Sequence, residues 1–211
     1  MTAADRQPGS AHEHERFQGV SGLVIGAVML VGRGSVSRLV ADLAGVGPGD
    51  RVLDVGCGPG GAAREAARRG AAVTGVDPAP PMLRRGRYLS GRRSGRGIVF
   101  VQGTAEALPV PDQAVTVAWA ISSAHHWADI PAGLRELHRV LEPGGRLIIA
   151  ERLTRPGARG LAAHGFTQAQ AAETVAAAQS AGFAGAGHDT RRAGRRMLAI
   201  VRAHRTAGEP G

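Results

Sequence analysis

Short apolar runs alternate with helical stretches through the middle of the chain. Five runs have the length and the apolar content of buried strands, and three stretches have helical character, the last of them with apolar residues at helical spacing. The predicted strands are residues 51–56, 71–77, 97–103, 114–122 and 146–151, and the predicted helices are residues 60–69, 80–90 and 130–141. Strands that alternate with such helices predict βαβ units, with a parallel sheet covered on both faces.

The pattern changes after residue 151. An alanine-rich stretch that begins at Thr167 and ends at Gly182 predicts a helix, since threonine is a good N-cap and glycine a good terminator. Two β runs follow, at residues 183–190 and 197–204. The RRAGRR segment between them is too short for a crossover, so we expect a hairpin that adds an antiparallel strand to the sheet.

The N-terminal part is predicted to contribute a lid. Residues 1–15 are polar and lack the features of a signal peptide, so we expect a disordered lead and a cytoplasmic protein. Helical character then extends to residue 43, with a break near residues 32–34. Its most apolar part, residues 20–32, is shorter than the roughly 18–20 residues that cross a bilayer. We therefore expect no stable membrane insertion.

These segments predict a single domain at residues 16–205. Its predicted parts are a helical lid at 16–45, a ligand-binding core at 46–151 and a C-terminal helix and hairpin at 152–205, with a tail at 206–211.

Composition excludes several classes of protein. The net charge of +9 is carried by arginine alone, because the chain contains no lysine. Two arginine runs, at 84–96 and 191–196, contain only Tyr88 as an aromatic residue, so no nucleic-acid partner is expected. The single cysteine, Cys57, excludes an intrachain disulfide and a multi-cysteine zinc site. His12 and His14 lie in a polar segment, and no metal site is predicted.

The segment VLDVGCGPGG, residues 52–61, leads from a strand through a glycine-rich turn into a helix. The N–H groups of residues 58–60 are expected to face a ligand anion at the helix N-terminus. The glycine spacing matches both G-x-G-x-x-G and G-x-G-x-G. From the glycines alone, a dinucleotide and a nucleoside–amino acid ligand are both possible.

Asp54 favours the second ligand, and Asp77 is expected to hold a ribose. Asp54 lies within the first predicted strand, where its charge would repel a pyrophosphate but tolerate the ammonium and sulfonium of S-adenosylmethionine. Alternatively, Asp54 only hydrogen-bonds the glycine loop. Asp77 ends the second strand, where a carboxylate can accept both ribose hydroxyls or cap the helix after Pro78. Met82 follows one turn later and either packs on the adenine or belongs to the core.

Four motifs resemble, in order, those of class I S-adenosylmethionine-dependent methyltransferases. They are VLDVGCGPGG, VTGVDPAPPML, GTAEALPVPDQAVTVAWA and ELHRVLEPGGRLIIAE. The resemblance is strong over residues 46–151 and looser over residues 165–205. It is nearest to the small group similar to ubiquinone and menaquinone biosynthesis C-methyltransferases. It implies a Rossmann-like, doubly wound α/β sheet of seven strands in the order 3-2-1-4-5-7-6, with strand 7 antiparallel. It also implies S-adenosyl-L-methionine as the cofactor.

The resemblance further implies roles for individual residues. The methionine part of the cofactor would be held by Asp54, Gly56, Gly58 and Gly60, and the ribose by Asp77. Where the family usually has an acid that contacts the adenine amino group, this chain has Thr104, which can accept a hydrogen bond without a charge. Ala105 would offer its N–H to the ring. Glu106 either compensates for the missing acid or faces solvent at a helix start.

The methyl acceptor is expected at the end of the fourth strand, because ligands of open parallel sheets lie at the carboxyl ends of the strands. The segment AISSAHHW places Ser122, His125, His126 and Trp127 there. A histidine acts either as a general base or as part of the pocket wall, as Trp127 does. Phe17, from the lid, is expected to line the same pocket for a small-molecule acceptor.

The sequence leaves three other functions open. These are an S-adenosylmethionine-binding protein without catalysis, an RNA methyltransferase and an NAD-dependent oxidoreductase. Only the positive net charge favours an RNA methyltransferase, and Asp54 disfavours an NAD-dependent oxidoreductase. The acceptor atom and the oligomeric state are not predicted.

Overall fold

The computed structural model describes residues 34–91 and 97–207. The predicted N-terminal lead, the lid up to residue 33 with Phe17, and the last four residues of the tail lie outside the described residues.

Seven strands and five α-helices make up the described fold. The strands are β1 (Arg51–Val55), β2 (Ala72–Asp77), β3 (Ile98–Gln102), β4 (Val115–Ile121), β5 (Leu141–Arg152), β6 (Phe183–Ala193) and β7 (Arg196–Arg205). The helices are α1 (Gly34–Leu43), α2 (Gly61–Arg68), α3 (Pro80–Gly91), α4 (Ile130–Val140) and α5 (Gln168–Ser180). Short 3-10 turns lie at Ala124–His126 and Gly160–Ala163. Among the described residues, no helix is both long and apolar enough to cross a bilayer.

The strands form one sheet in the predicted order, β3-β2-β1-β4-β5-β7-β6. Strands β1 to β5 pair in parallel, whereas β7 is antiparallel to both β5 and β6. The sequence prediction of a parallel sheet completed by a C-terminal hairpin is therefore confirmed. Because the first five strands run the same way, their carboxyl ends meet along one edge, and the predicted site residues follow those ends.

Strand β5 begins earlier than the sequence predicts. The helix before it ends at Val140, one residue earlier than predicted, and Leu141 and the EPGG segment belong to the strand. Val115 pairs with Leu141 and Val117 with Arg146, so the segment forms an irregularity within the ladder. Gly144 makes this possible, since its φ of 79° lies in the left-handed region.

Two apolar cores cover the two faces of the sheet. On one face, α4 and α5 bury residues such as Leu134, Leu137 and Ala171 against β4 and β5. On the other, α1 and α2 bury Val40 and Ala63 beside the strands. Both faces of the central strands are thus shielded from solvent, which explains why the sequences of these strands are continuous apolar runs.

Helix α5 begins with a capping box. The Gln170 N–H donates to Thr167 Oγ1 at 3.2 Å, and the Thr167 N–H donates to Gln170 Oε1 at 2.9 Å. Thr167→Ala is expected to lower the free energy of unfolding by about 1 kcal/mol, because it leaves an N-terminal amide unsatisfied. Urea denaturation would measure the change. Exposed Ser180→Ala is the matched control, expected to change stability by less than about 0.5 kcal/mol, and equal effects of the two would contradict the cap.

Candidate active site at the carboxyl edge of the sheet

The glycine loop between β1 and α2 is built from three left-handed residues. Gly56, Gly58 and Gly60 have φ values of 69°, 52° and 73°, which side chains rarely adopt. A Cβ on Gly56 would lie 2.3 Å from Ser123 Cβ, and one on Gly60 would lie 2.6 Å from Phe100 Cζ. A Cβ on Gly58 would meet nothing within 4 Å. Packing therefore requires the outer two glycines, whereas Gly58 leaves the backbone open to a ligand.

The donors of this loop differ from the sequence prediction. The Gly58 N–H donates to Asp77 Oδ2 at 2.8 Å, the Gly60 N–H donates to Cys57 O at 2.9 Å, and Pro59 has no N–H. The expectation that residues 58–60 face an anion is therefore wrong. Helix α2 makes its first hydrogen bond from the Arg64 N–H to Gly60 O, at 3.0 Å. The N–H groups of residues 61–63 precede that bond and are the donors that the helix offers to an anion.

Asp77 ends β2 beside the loop and is 8% exposed. Its Oδ2 accepts from Gly58, and its Oδ1 accepts from the Ala79 N–H at 2.9 Å. Burial raises the pKa of this carboxyl, and the two amide hydrogen bonds oppose that rise. Each oxygen keeps a further lone pair that can accept a ribose hydroxyl. The residue thus caps the segment after Pro78, orders the glycine loop and has the chemistry expected of a ribose ligand.

Asp54 lies inside β1 and is 2% exposed. Its strand neighbours are Gly75 of β2 and Trp119 of β4. Burial raises the pKa of the nearby Cys57 thiol, and the charges of Asp54 and Asp77 raise it further. That the buried Asp54 would repel a dinucleotide pyrophosphate stays a prediction. Cys57 is a protonated core residue that also contacts Leu83 and Phe100.

Glu106 connects the loop after β3 to the segment after β4. Its carboxylate accepts from the N–H groups of Ala128, at 2.8 Å, and Asp129, at 3.3 Å. Burial alone would raise its pKa, but these bonds and one from the Thr104 side chain hold that pKa below its ordinary value. Ala105 between them is buried. The three residues predicted to contact adenine therefore lie together, and their contact with a ligand stays a prediction, as does that of half-buried Met82.

The chain folds back onto the glycine loop directly after β4. Ser122 has a φ of 53°, unusual for a residue with a side chain, and its N–H donates to Ala150 O at 2.8 Å. Ser123 Oγ then donates to Val55 O at 2.7 Å, while its Cβ faces Gly56. This turn brings the predicted acceptor segment against the predicted cofactor loop.

His125 is held by Glu151, which ends the apolar part of β5. His125 Nδ1 lies 2.7 Å from Glu151 Oε2, and Glu151 Oε1 accepts from the Ala124 N–H at 2.7 Å. Glu151 is 0% exposed. His125 Nε2 is buried and, among the residues that the structure describes, has no hydrogen-bond partner. Glu151 was not assigned a role from the sequence, although an acid at the end of an otherwise apolar strand was a usable signal.

The neighbours of His125 take different positions. The His126 ring lies against the His125 ring with a centroid distance of 3.9 Å and is exposed. Trp127 is half-buried and packs on α4, where a Cβ on Gly133 would lie 2.7 Å from Trp127 Cε3. A Cβ at the same position would lie 3.4 Å from Ala105 Cβ. Trp127 and the predicted adenine loop therefore both pack on α4 at Gly133, and the role of Trp127 as a pocket wall stays a prediction.

Comparison with known proteins supports this arrangement. Residues 53–149 match a family model described as a methyltransferase domain. The chain is 37% identical over 134 residues to 27-O-demethylrifamycin SV methyltransferase of Amycolatopsis mediterranei, covering 61% of this chain and 49% of that one. It is 41% identical over 119 residues to demethylmenaquinone methyltransferase of Thermus thermophilus, covering 54% and 52%. The chain thus spans about half the length of the curated relatives it matches.

Solved structures share the fold. An S-adenosylmethionine-dependent methyltransferase from Aquifex aeolicus superposes with a TM-score of 0.69 at 19% identity, covering 82% of this chain and 93% of that one. The [4+2]-cyclase SpnF superposes with a TM-score of 0.72 at 23% identity, covering 83% and 82%. The fold alone therefore does not specify the reaction. Together with the family match, these findings show that residues 53–149 form a methyltransferase domain, and they support S-adenosylmethionine as its cofactor.

Proposed function

We propose that this protein transfers a methyl group from S-adenosylmethionine to a hydroxyl group of a small molecule, with His125 as the general base. One observation carries the proposal. His125 has its Nδ1 against the fully buried Glu151 and a buried Nε2 without a partner among the described residues, and it lies two residues from the turn that touches the glycine loop.

The residues around the glycine loop suit the cofactor. Asp77 offers carboxylate oxygens to the ribose, and the N–H groups of residues 61–63 offer donors to the carboxylate of the methionine part. Buried Asp54 supplies negative charge near the ammonium and sulfonium. When bound, S-adenosylmethionine supplies an electrophilic methyl group on its sulfonium.

The geometry of His125 suits proton removal. A carboxylate 2.7 Å from Nδ1 favours the tautomer with the hydrogen on Nδ1, and in that tautomer Nε2 carries the lone pair. His125 Nε2 would take the hydroxyl proton as the acceptor oxygen bonds to the methyl carbon, while the carbon–sulfur bond breaks with its electron pair remaining on sulfur. Glu151 would stabilise the resulting imidazolium. His126 contributes to the wall beside this base in the same proposal.

The names of the relatives support a small acceptor, and one of them denotes an O-demethylated compound. The arginine runs give no support to an RNA substrate in the described segments. Arg87 Nη2 donates to Phe100 O at 2.7 Å, and Arg191 Nη2 pairs with Asp189 at 2.8 Å. These two arginine side chains bond to other groups of the same chain, which is typical of a structural role at the surface.

The proposal is tested by incubating the chain with S-adenosylmethionine and a panel of phenols, alcohols, amines and thiols. Mass spectrometry would identify products heavier by one CH2. We expect enzyme-dependent products among the phenols and alcohols. Products confined to the amines or to carbon positions would contradict the hydroxyl acceptor, and cofactor binding without any product would favour a non-catalytic binding protein.

A further inference from the structure

Three imidazole rings converge beside the carboxyl end of β5. His125 and His126 come from the 3-10 turn after β4, and His164 comes from the loop before α5. The His164 ring lies 5.4 Å, centroid to centroid, from each of the other two. One nitrogen from each ring can be chosen such that all three lie within 4.8 Å of one another. The proposed reaction uses only one of these rings.

The loop that carries His164 is anchored to β5. Arg152 Nε donates to His164 O at 3.1 Å, and the Phe166 N–H donates to Arg152 O at 2.9 Å. Arg152 immediately follows Glu151 in the strand. The third histidine is therefore held near the other two by hydrogen bonds from the side chain and to the backbone of Arg152, in the strand that also carries Glu151.

The contact between Glu151 and His125 is a second, independent observation that points to a ligand. Metal-binding histidines commonly donate one ring N–H to a carboxylate, which fixes the ring and presents the other nitrogen to the ion. Here Glu151 is fully buried and lies 2.7 Å from Nδ1, and His125 Nε2 is buried with no partner in the described part of the chain. The orientation of His125 is thus already that of a ligand.

We propose that His125, His126 and His164 bind a divalent transition-metal ion of the Zn²⁺ type, with Glu151 as the residue that orients His125. Imidazole nitrogen suits Zn²⁺, and three such ligands leave a fourth position for water. Zn–N bonds of about 2.0–2.1 Å in a tetrahedral site place ligand nitrogens about 3.4 Å apart. His164 is exposed and lies in a loop, so its side chain has room to close that distance.

Metal binding has a consequence for the reaction. The ion would occupy the same Nε2 lone pair that removes the acceptor proton, so a bound metal inhibits methyl transfer. This consequence rests on the proposed function, whereas binding of the metal does not.

Isothermal titration calorimetry on the chelator-treated full chain tests the site, with Zn²⁺ and Mg²⁺ as the probes. We expect one Zn²⁺ per chain at this site and no binding of Mg²⁺, which prefers oxygen ligands. His164→Ala and Glu151→Gln are each expected to weaken Zn²⁺ binding by about 10–100-fold. His188→Ala, an exposed histidine on β6, is the matched control and leaves the affinity unchanged.

Three further results distinguish this metal site from the N-terminal histidines and from the proposed reaction. Zn²⁺ binding that survives His164→Ala but is lost in the double variant His12→Ala/His14→Ala would overturn the proposal, because the ion would then lie on the N-terminal segment. Methyl transfer by wild type without any Zn²⁺ binding would overturn the metal site and leave the proposed function intact. Zn²⁺ binding at the cluster without inhibition would keep the site and refute His125 as the base.

Discussion

His125→Ala lowers the kcat for methylation of a hydroxyl acceptor by about 10²–10⁴-fold, the usual contribution of a positioned general base. The loss is expected in kcat more than in KM, because the imidazole acts on the proton during transfer. The measurement is the steady-state rate with a chelator present, using an acceptor from the phenol and alcohol panel. Added imidazole should restore part of the rate by entering the space that the side chain leaves.

Two variants show whether the base depends on its partner. In Glu151→Gln, the amide oxygen can still accept the hydrogen bond from the Ala124 N–H. The amide NH2 group then faces His125 Nδ1. The imidazole proton then moves to Nε2, which can no longer accept, so a loss comparable to that of His125→Ala is expected. His126→Ala, in an exposed ring next to the same site, is the matched control and should lose much less. Equal losses at the two histidines would contradict the assignment.

Gly56→Ala is expected to lower the free energy of unfolding by roughly 2–5 kcal/mol. The left-handed backbone accounts for about 1–2 kcal/mol of this loss. The remainder, about 1–3 kcal/mol, comes from overpacking, because the new Cβ would lie 2.3 Å from Ser123 Cβ. Urea denaturation of the purified chain measures the change.

Gly58→Ala is the matched comparison for that variant. Its φ of 52° is also left-handed, but nothing lies within 4 Å of the added carbon. A loss of only about 1–2 kcal/mol in stability is expected. Its main effect should be weaker binding of S-adenosylmethionine, since the Cβ stands on the open side of the loop. Equal destabilisation by the two variants, or unchanged binding in Gly58→Ala, would contradict this picture of the loop.

The order of the sheet could be predicted because local patterns and the resemblance agreed. Alternating apolar runs and helices indicated the parallel part, and the short RRAGRR segment indicated the hairpin, which the pairing of β6 with β7 confirms. The start of β5 was not predictable from local pattern. Its EPGG segment has the composition of a turn, but pairing of Leu141 with Val115 retains it in the sheet. Tertiary pairing overrides turn composition there.

The candidate site was also predictable only in part. Its residues follow strand ends that the pattern located correctly, so their convergence was predictable. The hydrogen bonds that join the site's segments were not, because they link residues distant in sequence. The Gly58 N–H donates to Asp77 from the end of β2, and His125, after β4, is held by Glu151 near the end of the neighbouring strand β5. Pro59 was the one local sign that the loop has fewer donors than its glycines suggest.

Calorimetric titration of wild type and Asp77→Ala with S-adenosylmethionine, S-adenosylhomocysteine and NAD decides whether the glycine loop and Asp77 form the cofactor site. Binding of the first two ligands at one per chain is predicted, with no heat from NAD. Asp77→Ala should raise the Kd for S-adenosylmethionine by at least about tenfold, because it removes hydrogen bonds to the ribose and to the Gly58 and Ala79 amides. Binding of NAD alone, or an unchanged Kd in a folded Asp77→Ala variant, would contradict this assignment of the site.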